Sequence, residues 1–235
     1  MQNLGIMLSV SNFCLKRSLR EINAIRTLSA VFCAPSDSDK MKEIRKLPEV
    51  HGEKFYYFGF GSNMLTKRIH IQNPTAVKIG PGKLENYRLD FNDYSGNWDG
   101  APATIVPHEN RTVWGTVWEI DLSNLDDIDH QEGVHEGMYE AKSVPVTLKS
   151  NNEVIMSRAY LLTEQPESDF EAMSMQEIPA KRLPSKTYIQ CLVKGAVESE
   201  IDGEYVEWLK SLKHNGKVAE KMSNYLELAN IELKS

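Results

Sequence analysis

The chain has 235 residues, a formal net charge of −6 and a hydrophobic fraction of 41%, which is enough to bury one self-sufficient core. The mild acidity argues against a general nucleic-acid binder or a binder of anionic membranes. No apolar run is long enough to span a bilayer.

Residues 1–53 read as an N-terminal extension and 54–235 as the main domain. The first twenty residues contain Lys16, Arg17 and Arg20 but no Asp or Glu, and serines are scattered among apolar residues. That composition is expected of an amphipathic organelle transit peptide. The expected location is cytoplasmic, or mitochondrial where the extension acts as such a peptide. Residues 36–54 are charged and polar and read as a linker. Cys14, Cys33 and Cys191 lie far apart, with no Cys-x-x-Cys pair. A disulfide framework or zinc site is therefore not expected, and a reducing compartment is.

From residue 54 to 163 the pattern is mostly strand. Expected strands cover 55–60, 76–79 with an extension at 84–91, 103–107, 112–120, 139–148 and 154–162. These runs are rich in β-branched and aromatic residues. Pro81-Gly82, Ser95-Gly96-Asn97 and Asn151-Asn152 read as turns. One helix interrupts the strands: Leu122, Leu125 and Ile128 share a face, and Gly133 should end it in a left-handed cap. Beyond Pro184 the period becomes helical. Expected core stripes are Tyr188, Cys191, Leu192 and Ala196; then Tyr205, Trp208, Leu209 and Leu212; then Val218, Met222, Tyr225 and Ala229. Cys191 on such a stripe reads as a buried structural thiol. Strands followed by helices indicate an α+β fold with a small, closed sheet.

Two segments carry candidate chemistry. Tyr56-Tyr57-Phe58-Gly59-Phe60 is an aromatic strand that stops in Gly61-Ser62-Asn63. Gly61 can adopt positive φ, and Ser62 or Asn63 can cap a short helix whose N–H groups attract an anion. An ordinary strand–turn–helix connection explains the same residues. The second segment is Asp129-His130-Gln131-Glu132-Gly133. Glu132 would sit in the last helical turn, where the macrodipole and nearby aspartates raise a carboxyl pKa toward that of a general base. A solvated Glu before a glycine cap is the plainer reading. His130 and His135 straddle the helix end and lack further ligands, so no metal site is expected. Ser62 lacks the Gly-x-Ser-x-Gly elbow of a serine nucleophile.

Further ordered matches are Trp114-Gly115-Thr116-Val117-Trp118, Gln131-Glu132-Gly133-Val134, Gly137-Met138-Tyr139 and Arg158-Ala159-Tyr160-Leu161. With Tyr57 to Leu65, this series resembles the γ-glutamylcyclotransferases of the cyclotransferase/AIG2-like superfamily. The resemblance runs from about Phe55 into the C-terminal helices. It implies a small mixed β-barrel with flanking and C-terminal helices. It also implies conversion of γ-L-glutamyl amino acids to 5-oxoproline and free amino acid, without metal or organic cofactor. The expected partner is a small-molecule γ-glutamyl substrate, the expected assembly a homodimer, with no nucleic acid and no membrane. Glutathione or γ-glutamylamine substrates, and a non-catalytic binding module on the same fold, stay open as alternatives.

The resemblance implies Glu132 as the catalytic acid/base. It implies Tyr57, Phe58, Gly59, Phe60, Gly61, Ser62 and Tyr160 as substrate-binding, with Asn63, Tyr139 and Leu162 as further pocket residues. One position departs from the family pattern: Phe60 stands where the loop usually carries tyrosine. The departure implies a change in affinity or substrate range.

Overall fold

A computed structural model describes residues 37–234. The transit-peptide expectation, Cys14 and Cys33 lie outside these residues. The elements in chain order are α1 (Asp37–Ile44), β1 (Val50–His51), β2 (Lys54–Gly59), a 3₁₀ turn (Ser62–Met64), α2 (Thr66–Ile69), β3 (Val77–Phe91) and β4 (Ala103–Asp121). A second 3₁₀ turn (Leu122–Asn124), α3 (Leu125–Gln131), β5 (Tyr139–Leu148) and β6 (Val154–Leu162) follow. A third 3₁₀ turn (Ala180–Arg182), α4 (Lys186–Glu198), α5 (Gly203–Leu209) and α6 (Glu220–Leu226) complete the chain.

The sheet order is β1-β2-β4-β3-β5-β6, and β2 also pairs with β6. That extra pairing closes β2, β4, β3, β5 and β6 into a five-stranded barrel. Neighbours are antiparallel except β2 and β6, which run parallel with Tyr57 opposite Arg158. β2 is central and buried on both sides. Phe55 and Tyr57 face a cluster with Trp118, Ile120, Ile128 and Tyr160, while Phe58 and Phe60 face the main core with Val117, Val146 and Leu192. Each fully buried large apolar side chain contributes on the order of 1.5–3 kcal/mol.

The expected strands at 139–148 and 154–162 form as β5 and β6. Elsewhere separate runs merge. The 76–79 and 84–91 runs are one strand, β3, and the 103–107 and 112–120 runs are one strand, β4. Pro81-Gly82 is therefore not a turn. It lies inside β3, just past a bulge between Lys78 and Gly80. Gly82 is small because β5 and β4 close on it: a Cβ there would come within 2.5 Å of Val146 and 3.1 Å of Val117. A long strand bent by bulges is how a small barrel closes.

The segment read as a linker carries structure from Asp37 onward: α1, then β1 paired with β2, with Glu49 buried between them. The last expected stripe is out of register. Ala219, Ser223 and Leu226 are buried, whereas Val218, Tyr225 and Ala229 face outward. The helix there is only seven residues long, too short for its period to fix the buried face.

α4 crosses the turn after β2 at close range. A Cβ on Gly195 would approach the Leu65 backbone nitrogen to 2.7 Å and Met64 Cβ to 2.8 Å. Helix propensity alone favours alanine by about 1 kcal/mol. Backbone cannot yield as a side chain can, so Gly195→Ala is expected to destabilise the fold by about 1–3 kcal/mol. Chemical denaturation would show this as a lower midpoint at unchanged slope.

Candidate active site

Glu132 is positioned by α3. Leu122, Leu125 and Ile128 bury its apolar face, as their spacing requires. Glu132 is the C-terminal cap residue, and its N–H donates to the Ile128 carbonyl at 2.9 Å. Gly133 follows at φ +64 and ends the helix in the left-handed conformation expected of it. Glu132 thus leaves the helix half-buried, surrounded by protein while keeping solvent contact.

The turn after β2 supplies the facing groups. The buried Tyr57 hydroxyl accepts a hydrogen bond from Asn63 Nδ2 at 2.9 Å, and the Asn63 carbonyl accepts from Trp118 Nε1 at 3.0 Å. Asn63 therefore orients Tyr57 and does not cap a helix. Gly61 sits at φ −106, not at the expected positive φ. Its small size serves close approach, since a Cβ would lie 2.9 Å from the Tyr188 hydroxyl. The short helix expected after Ser62 or Asn63 is a three-residue 3₁₀ turn followed by the four-residue α2, neither with a side-chain cap. Elements this short carry little macrodipole, so an anion cradle at a helix start is not what forms here.

The remaining expected residues divide. Gly59 is buried at the end of β2, where a Cβ would lie 3.0 Å from the Asn63 carbonyl oxygen. Gly61 and Ser62 are half-exposed. Phe58 and Phe60 turn their rings into the main core, on the face of β2 opposite Tyr57. Phe60 is buried beside Phe58, with ring centroids 6.1 Å apart. A ring without a hydroxyl suits that apolar setting. Tyr139, at the start of β5, is half-buried. Leu162 is buried at the end of β6, its N–H donating to Thr104 Oγ1 at 3.1 Å. The Tyr160 hydroxyl is already engaged: it donates to Asp129 Oδ1 at 2.6 Å and accepts from Arg158 Nε at 2.9 Å.

Burial pushes the Glu132 carboxyl up to about 7; Arg68 on α2 opposes the shift and Asp129 adds to it. Of the causes expected from the sequence, the helix end and three aspartates, Asp129 alone contributes, and burial leads. α3 has seven residues, and Asp126 and Asp127 face solvent, Asp126 pairing with Lys40. Burial also raises the Tyr57 and Tyr139 hydroxyls, with the Glu132 carboxylate adding to both. Both phenols therefore stay protonated near neutrality and can donate hydrogen bonds. Tyr188 acts electrostatically on the same two tyrosines, which ties α4 to this group.

Three contributors are missing from the sequence reading. Tyr188 was a core-stripe residue, yet its hydroxyl accepts from the Ala103 N–H at 3.0 Å directly beneath Gly61. Arg68 lies in the run Thr66 to Pro74, which continues the family resemblance, but nothing in that run assigns it a role. The pairing of Asp129 with Arg158 has a faint signal, since Arg158 and Tyr160 are two apart on a strand and share a face. His130 and His135 lie side by side with ring centroids 4.7 Å apart and planes tilted by 56°. Among the described residues no group of three or more His, Cys, Asp or Glu gathers to hold a metal. Cys191 is buried, and burial pushes its thiol up to about 12, so it is a packing residue. A separate recess lined by Arg88, Arg111, Glu171, Tyr205 and Trp208 shares no residue with this group, and Arg111 pairs with Glu171 within it.

The raised Glu132 pKa has a sign-defined consequence for stability. Between pH 4.5 and about 7 the folded state keeps a proton that the unfolded chain has released. Wild-type stability therefore falls with rising pH across that window through this group. Glu132→Gln removes the dependence. The melting temperature of the variant relative to wild type is expected to rise between about pH 5 and pH 8; thermal melts of both proteins at the two pH values check it.

The barrel and this group can be set beside known proteins. The chain is 35% identical to Mus musculus γ-glutamylcyclotransferase over 183 residues, spanning 75% of this chain and 89% of the mouse protein. It is 36% identical to the Homo sapiens γ-glutamylcyclotransferase over 182 residues, with 74% and 89% covered. A solved structure of a γ-glutamyl cyclotransferase superposes with a TM-score of 0.65 at 35% identity, covering 74% of this chain and 99% of the other. The AIG2-like family pattern matches residues 112–209, from β4 through α5. With likeness of sequence and fold extending over nearly all of each relative, the chain belongs to the γ-glutamylcyclotransferase family.

Proposed function

We propose that the protein converts γ-L-glutamyl amino acids to 5-oxoproline and the free amino acid, with Glu132 as general acid/base. The observation that carries this reading is the half-buried Glu132 carboxyl, raised to about 7 by burial and facing two phenols, in a chain of this family. A base with that pKa is part-ionised at neutrality and still strong enough to take a proton.

The reaction needs such a group. The substrate α-amine is an ammonium at neutral pH and must lose a proton before it can attack. Glu132 accepts that proton. The amine nitrogen then bonds to the γ-carbonyl carbon, closing a five-membered lactam through a tetrahedral oxyanion. The bond to the departing amino acid breaks as Glu132 returns the proton to its nitrogen, and the ring nitrogen's surplus proton then passes by way of Glu132 to the freed amine, which leaves as an ammonium. Nucleophile and electrophile are already tethered, so holding the chain folded lowers much of the entropic barrier.

The surrounding residues fit the charges that develop. Asn63 donates to the Tyr57 oxygen, which leaves the Tyr57 proton free to donate to substrate oxygen. Tyr139 offers a second neutral hydroxyl. Arg68 supplies positive charge for the α-carboxylate. Gly59 to Ser62 line the substrate through main chain, while the rings of Phe58 and Phe60 back the loop from the core.

The test is 5-oxoproline release from γ-glutamyl-L-alanine by the purified protein. Glu132→Gln is expected to lower kcat by at least about 100-fold while the protein stays folded. The acid limb of kcat/KM is expected near pH 7, because below it Glu132 is protonated and cannot act as base. Wild-type turnover in the variant, or a limb at the ordinary carboxyl value, sinks the assignment.

A further inference from the structure

Glu49 is almost fully buried, at 1% exposure, although it precedes the barrel in a segment of polar sequence. Its backbone is anchored, because Tyr56 N–H donates to the Glu49 carbonyl at 3.0 Å. Its carboxylate accepts from Arg158 Nη1 at 2.9 Å and from the Ser143 hydroxyl. Arg158, on β6, carries the contact onward. Its Nη2 donates to both Asp129 oxygens, at 2.7 and 2.8 Å, and its Nε reaches Asp129 Oδ1 at 3.2 Å. Tyr160 closes the set by donating to Asp129. One guanidinium thus answers two carboxylates, and every member is hydrogen-bonded. That is the condition under which buried charge is tolerated.

Asp129 lies one turn before Glu132 on α3. Its own carbonyl accepts from the Val134 N–H at 3.0 Å, so the turn carrying Glu132 closes onto Asp129. A bidentate guanidinium fixes direction as well as distance. Holding Asp129 by three hydrogen-bonding atoms of β6 therefore fixes the rotation of the last turn of α3. Misplacement of a catalytic group by 1 Å can cost about 10²-fold in rate.

We propose that Glu49, Arg158, Asp129 and Tyr160 are one positioning unit for Glu132, locked from outside the barrel by Glu49. Tyr160 then acts through Asp129 and not as a substrate contact. The proposal rests on the role of Glu132 given above.

The experiment uses the full chain and the variants Tyr160→Phe and Glu49→Gln, both close in shape to the parent side chains. Two readouts are taken: kcat and KM for γ-glutamyl-L-alanine, and hydrogen–deuterium exchange. Each variant is expected to lower kcat by about 10-fold with KM within about twofold, because a displaced base slows chemistry without weakening uniform binding. Exchange at the amides of residues 129–134 is expected to quicken about 10-fold, with the barrel strands unchanged. A raised KM at unchanged kcat for Tyr160→Phe makes it a substrate contact and overturns the proposal. Wild-type kcat in folded Glu49→Gln overturns it too, as does exchange that rises equally throughout the barrel. Should Glu49→Gln not fold, Ser143→Ala, which removes one hydrogen bond onto Glu49, takes its place under the same criteria. Absence of wild-type turnover refutes the functional reading instead, and exchange at 129–134 then decides the positioning unit alone.

Discussion

The parallel pairing of β2 with β6 is the contact on which the site depends. It closes the barrel with Tyr57 beside Arg158. One strand delivers the turn that ends in Gly61-Ser62-Asn63; the other delivers the guanidinium that grips α3 through Asp129. Without closure, the loop and the helix would hang from separate edges of an open sheet, and Glu132 would face solvent instead of Tyr57 and Tyr139. The small residues along the path follow from the same constraint. Gly82 lets β5 reach β3, and Gly195 lets α4 press on the turn that follows β2.

Closure also sorts the carboxylates by function. Glu49 is buried and Asp129 half-buried, each with a cation and further donors, so their charge is answered. Glu132 is half-buried with far less. The nearest group bonded to it is Gln131 Nε2, at the long distance of 3.5 Å. Burial without full compensation raises a carboxyl pKa, as it does at Glu132. Asp129 and the proposed acid/base Glu132 thus sit three residues apart at the end of one short helix and differ in their hydrogen bonds.

Much of the barrel was legible in the residues. β5 and β6 follow their β-branched and aromatic runs, and α3 ends where Gly133 permits it. Legibility failed where local cues competed with distant ones. Pro81-Gly82 looks like a turn, but β4 and β5 pair across it and hold it in a bent strand. The α6 stripe misleads because seven residues make fewer than two helical turns. The stretch before Lys54 looks like a linker because its polar residues give no hint that Glu49 meets a cation 109 residues away. For the site, Glu132 and the turn at Tyr57 to Asn63 stood out as unusual local chemistry, and family resemblance gave them weight. Arg68 and Tyr188 did not, since each is an ordinary residue until the chain folds around it.

The sequence by itself determined the α+β class, the order of strands and helices, the helix end at Gly133 and the candidate acid beside it. These rest on neighbours within a few residues, where periodicity and backbone preference act directly. Tertiary structure decided the rest: that Phe60 backs the loop from the core, that Asn63 serves Tyr57, that Tyr160 answers Asp129, and that burial sets the pKa of Glu132. Each of these depends on which distant groups share a small volume. Burial and partner charge are properties of that volume, and no local pattern of residues encodes them.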